Sequence, residues 1–132
     1  MSFDRIVVVD WSARSTPSPK TPVKDAIYIC HSTNLEIQNT EYFRTRQKAL
    51  NFVEKLIENS LAHQERIFIG FDFSFGYPAG FSKSMTFSSD PFSIWELLKQ
   101  EIFDGCDNSN NRFEVAQRLN SNFDGIGPFW GC

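Results

Sequence analysis

Two short apolar runs constrain this chain more than any other feature. Arg5 to Asp10 reads R-I-V-V-V-D, and Arg66 to Phe75 reads R-I-F-I-G-F-D-F-S-F. Continuous runs of β-branched and aromatic residues are the pattern of strands buried on both faces. Each carries an acid at or near its end, Asp10 in the first and Asp72 in the second. Residues Ser12 to Lys24, with three Pro and five Ser/Thr, cannot extend a central strand and are expected to form a long exposed connection.

Ala26 to His31 and Leu35 to Phe43 read as two further strands joined by a polar turn around Ser32 to Asn34, which makes an antiparallel meander with the first. Thr45 is placed to cap a helix running to about Leu61, with Ala49, Phe52, Val53, Leu56, Ile57 and Leu61 on its inward face. Gly76 to Ser89 forms a long connection after the second apolar run. Asp90-Pro91 then opens a helix through Phe103, with Ile94, Trp95, Leu98 and Ile102 inward. A last helical pattern covers about Asn111 to Asn122, with Phe113, Ala116, Leu119 and Phe123 inward. The predicted order is β-β-β-α-β-α-α in one domain over residues 1–132. A strand that follows a helix and returns beside the first strand is a parallel, right-handed crossover. The expected fold class is therefore α/β, a mixed sheet of the ribonuclease H-like topology.

Charge narrows the partners. The net charge is −3, yet Trp11 to Lys48 holds six basic residues against three acids. Such a chain is not a general duplex-coating protein, whose affinity would come from many phosphate contacts. A local phosphate site is compatible with it, and so is a merely solvated basic face. No apolar run spans a bilayer and no leader pattern opens the chain, so the expectation is a cytoplasmic protein without membrane contact. Cys30, Cys106 and Cys132 share no C-x-x-C spacing and read as reduced thiols. Most of the 14 Phe fall on inward patterns, Phe68 among them; Phe75, Tyr77, Phe81 and Phe87 are the exceptions, able to line a pocket beside Asp72 or meet a partner.

The topology puts Asp10 and Asp72 side by side at the carboxyl edge of the sheet, where open α/β folds bind ligands. Two adjacent carboxylates repel, so they hold a cation or share a proton. Oxygen donors of this type suit Mg²⁺ or Mn²⁺, which supports phosphodiester chemistry. The alternative is that the acids cap loops or pair with Arg14 or Lys24. D-W-S-A from Asp10 and D-F-S-F-G-Y-P from Asp72 repeat an acid, an aromatic and a Ser. Ser12 and Ser74 are candidates to hold turn backbone or phosphate, with Trp11 and Phe73 packing on the other side. Arg14, Lys20, Lys24 and Arg46 are the candidate phosphate-contacting cations, and Tyr77 a further substrate-binding residue.

V-V-D-W-S-A, Y-F-R-T-R-Q-K-A, G-F-D-F-S-F-G-Y-P-A-G-F and G-P-F-W-G together resemble an uncharacterised bacterial family assigned a ribonuclease H-like fold. Its members carry the labels predicted nuclease and cobalamin-biosynthesis protein. The resemblance implies Asp10 and Asp72 as catalytic metal ligands, and nucleic acid or a phosphorylated small molecule as partner. The wider superfamily adds a carboxylate early in the first helix and another on a late helix. Here the first turn reads T-R-Q-K, and Asp104, Asp107 and Asp124 fall in loops. Family members are longer, which implies that a fifth strand and a late acid follow in a complete protein and that this chain is an N-terminal fragment. Two other readings use the same scaffold. One is an actin-like or sugar-kinase-like nucleotide binder, although D-W-S-A lacks the usual Gly. The other is a non-enzymatic interaction domain. Apolar surface left where further strands should pack leads to the expectation of a homodimer.

Overall fold

A computed structural model describes residues 2–33, 36–125 and 127–129. Asn34 of the expected turn, Leu35 at the start of the expected third strand, and Trp130, Gly131 and Cys132 at the end lie outside the described residues. The chain is α/β and divides into two compact units, residues 1–73 with 106–108 and residues 74–105 with 109–132.

The first unit is built on a mixed four-stranded sheet. Its strands are β1 (Arg5–Asp10), β2 (Ile27–Thr33), β3 (Glu36–Phe43) and β4 (Ile67–Phe71), in the order β3-β2-β1-β4. β2 runs antiparallel to both β1 and β3, and β4 runs parallel to β1 with Val9 opposite Phe71. The helix α1 (Arg46–Ala62) makes the crossover into β4. Its first turn is capped by Thr45, whose Oγ1 accepts the Lys48 N–H.

Alternation along the strands decides which face is buried. Val7 and Val9 of β1 and Ile27 and Ile29 of β2 meet Ala49, Val53 and Leu56 of α1 in one core, with Phe52 and Ile57 half-buried against it. On the other face Val8 is 55% and Phe68 48% exposed, so β1 and β4 are not buried on both sides as their runs predict. Phe68, expected inward, rests instead against Phe3 with ring centroids 5.3 Å apart. Leu61 is a second correction. The buried stripe of α1 continues from Ala49, Val53 and Leu56 to Ser60, and the next residue is rotated by about 100° to solvent, 71% exposed. Ser60 is tolerated there because its hydroxyl donates to Glu65 Oε2, which also accepts from Arg5.

The second unit contains α2 (Phe81–Thr86), α3 (Phe92–Glu101) and α4 (Arg112–Asn120). α2 lies in what reads as a loop. Gly80, at a φ of 86°, turns the chain into it, and Phe81 is 4% exposed at its start. α3 starts one residue later than expected, with Pro91 at the N-cap and Asp90 Oδ1 accepting the Phe92 N–H at 2.9 Å, and it stops at Glu101, leaving Phe103 65% exposed. In α4 the buried positions are Val115 and Leu119, which turns Phe113 outward to 53% exposure, contrary to expectation.

Ile29 is fully buried at the centre of the first core. Ile29→Ala is expected to lower stability by about 3 kcal/mol, read from the urea midpoint at constant slope.

Candidate carboxylate site at the sheet edge

Register delivers the two acids. Because Val9 lies opposite Phe71 in a parallel pair, Asp10 and Asp72 leave adjacent strands at the same end. The ladder then ends in an exchange of side chain for main chain. The Asp72 N–H still donates to the Val9 carbonyl at 3.3 Å, whereas the Trp11 N–H donates to Asp72 Oδ1 at 2.9 Å. A carboxylate thus takes the acceptor role a backbone carbonyl would have, which stops β4 at Phe71 instead of running to Phe75.

Both carboxylates are exposed at the edge, and among the described residues neither has an ion-pair partner. Pairing with Arg14 or Lys24 is therefore not what holds them. Loss of water, a side-chain hydrogen bond with Asp72 and the charge of Asp72 all push the Asp10 carboxyl above its ordinary range. Two like charges at neighbouring strand ends oppose ionisation of Asp10 in the same direction as its loss of water. Trp11 and Phe73 flank the site and meet each other edge-on, with centroids 6.3 Å apart. Trp11 is half-buried against Phe71, but Phe73 is 40% exposed and packs less than expected.

The other sequence-nominated residues separate. Ser12 serves the turn, its hydroxyl donating to the Asp25 carbonyl at 2.8 Å and accepting the Arg14 N–H at 3.4 Å. Arg14 is half-buried with its Nε unpartnered, and Lys20 and Lys24 are exposed on the Pro-rich connection. Arg46 is only 7% exposed. Its guanidinium donates to main-chain carbonyls, among them those of Arg14 at 2.6 Å, Asn108 at 2.7 Å and Ser12 at 3.4 Å. Ser74 and Tyr77 belong to the second unit.

Asn108 escaped the sequence reading, since the polar run D-N-S-N-N gives no periodicity to mark it. It is 2% exposed at a φ of 71°. Its Oδ1 accepts the Arg46 N–H at 2.8 Å, while Nδ2 donates to the carbonyls of Thr16 and Arg44, both at 3.2 Å. Ser18, 1% exposed, adds a second anchor, donating its N–H to the Arg44 carbonyl at 2.9 Å and accepting from Arg44 Nε at 2.6 Å. The connection after Asp10 is thus a pinned loop rather than a free one.

Against known proteins the chain matches no family model, no curated protein and no solved structure.

Two outcomes follow from this geometry. A carboxyl whose folded pKa is raised weakens the native state at pH above that value, and the penalty disappears as pH falls below the unfolded value. Asp10→Asn is therefore expected to raise the melting temperature at pH 7, with the gain shrinking toward zero below about pH 4. Circular-dichroism melts at the two pH values check it. Arg46→Met, which strips a charged donor from three carbonyls, is expected to cost about 3 kcal/mol in urea unfolding.

Proposed function

We propose that the first unit is a ribonuclease H-like scaffold whose Asp10 and Asp72 form a Mg²⁺- or Mn²⁺-dependent site for phosphodiester hydrolysis or phosphotransfer. The observation that carries this reading is the meeting of two unpaired carboxylates at the carboxyl ends of parallel neighbours, with Asp10 raised by loss of water and by Asp72. Structural acids at such a position would have cations beside them; these face each other. Nucleic acid or a phosphorylated small molecule is the corresponding substrate class.

The donor set fits a hard divalent cation. Mg²⁺ commonly takes one or two carboxylates and fills its remaining positions with water and substrate phosphate oxygens. Among the described residues no group of three or more potential ligands assembles, so Asp10 and Asp72 alone would hold the ion. When bound, such an ion supplies Lewis acidity at a phosphoryl oxygen. The chain's own part is positional. The Trp11 N–H fixes the orientation of Asp72, and the Ser12 hydroxyl ties the turn after Asp10 to the Asp25 carbonyl. Asp10, whose carboxyl is held above its ordinary range, must be ionised to act as a ligand, so affinity for the cation rises with pH.

Calorimetric titration with Mn²⁺ tests the site. The wild type is expected to give a saturable isotherm that tightens from pH 5 to pH 7, and Asp10→Asn or Asp72→Asn to weaken it at least tenfold. Hydrolysis of bis(p-nitrophenyl) phosphate in Mn²⁺ is expected to vanish in both variants. Equal, negligible heats in all three proteins would overturn the proposal.

A further inference from the structure

The second unit holds a cavity of about 400 Å³ that the carboxylate site does not use. Its walls are mainly apolar and aromatic, with Leu98, Phe113, Ala116 and Phe129 among the lining residues. Among the described lining residues, Tyr77 and Arg112 are the two with polar side chains. Both are left with unspent hydrogen-bonding capacity. Among the described residues the Tyr77 hydroxyl has no hydrogen-bond partner and Arg112 has no carboxylate partner.

Arg112 is also held in a particular way. Its Cζ lies 4.5 Å from the Phe113 ring centroid, which fixes the guanidinium against an aromatic face. Nη1 donates to Asn110 Oδ1 at 3.2 Å, and the Nε and Nη2 edge is left without a protein acceptor among the described residues. A planar fork held by stacking and one hydrogen bond is pre-organised for a carboxylate, which it can bind with two parallel N–H···O bonds. Pockets of this size with apolar walls and a few polar groups are typical of small-molecule sites.

The cavity wall is itself built with care by the sequence. Asn120 holds the segment that carries Phe129, its Nδ2 donating to the Phe129 carbonyl at 2.8 Å and its Oδ1 accepting the Phe129 N–H at 2.9 Å. Gly127 is required for this approach: a Cβ there would lie 2.6 Å from the Asn120 side chain, and its φ is 80°. Phe129 is then seated edge-on to Tyr77 and Phe81, with centroids 6.2 and 5.7 Å away.

We propose that this cavity binds a small arylalkanoate, its ring among Leu98, Phe113 and Phe129 and its carboxylate on the free edge of Arg112. A neutral apolar ligand would leave the cation and the phenol unsatisfied, and a phosphate ester would place two charges against one.

The probe is 3-phenylpropionate, titrated calorimetrically into the full chain, with 3-phenylpropan-1-ol as the uncharged counterpart. Saturable 1:1 binding is expected, at least tenfold weaker for the alcohol and at least tenfold weaker for Arg112→Gln. Lys99→Gln, which removes an exposed charge elsewhere in the unit, is expected to bind as the wild type does. Ala116→Phe fills the cavity and is expected to abolish binding, with its melting temperature recorded to establish folding. Absence of saturable binding by the wild type, equal binding of acid and alcohol, or undiminished binding by Arg112→Gln would each overturn the proposal.

Discussion

The hydrogen bond from the Trp11 N–H to Asp72 Oδ1 governs the candidate site. It lies one step past the last main-chain bond between β1 and β4, where a parallel ladder would otherwise continue. Because the acceptor is a charged side chain, the bond is stronger than the main-chain bond it replaces, and it ends the pairing at a defined residue. The same bond turns Asp72 toward β1, where Asp10 emerges. A single exchange thus terminates the sheet, starts the loop and brings two like charges together.

Holding like charges at an edge requires a firm base. In the first unit this comes from the Val7, Val9, Ile27 and Ile29 layer against α1, and from a polar frame below the loop. Arg46, Asn108, Arg44 and Ser18 satisfy the main chain of the Pro-rich connection that leaves Asp10. Arg46 sits at the first turn of α1, which holds no acid; the helix's own acids lie further along. Arg46 is 7% exposed, and its guanidinium donates to the carbonyls of Arg14, Asn108 and Ser12.

The second unit solves a different problem, closing short helices without a sheet. Aromatic contacts supply the area: Tyr77 stacks on Phe81 at 5.1 Å and Phe81 on Phe123 at 5.7 Å. They use two of the 14 Phe, whereas others remain exposed, such as Phe87 and Phe92. Of the four rings that read as exceptions to inward packing, Phe81 is buried at 4% exposure, while Phe87 is almost wholly exposed at 95%.

Local pattern alone determined most of the elements, though not α2, which falls in a segment that reads as a loop. The β-branched runs, the Thr45 cap and the three- and four-residue spacing of Ala49, Val53 and Leu56 act through neighbours in the chain, so they are legible without a structure. So was the pairing of Asp10 with Asp72, since crossover handedness and strand ends leave few arrangements. What tertiary structure decided were matters settled by distant partners. The exposed outer face of β1 and β4, the early end of β4 at the Asp72 carboxylate, and the burial of Arg46 all depend on residues dozens of positions away. Asn108 is the clearest case, an unremarked residue in a polar run that becomes a hub because the fold brings 16, 44 and 46 around it. Hydrogen bonds of that range have no period in the sequence, and only the folded chain can specify them.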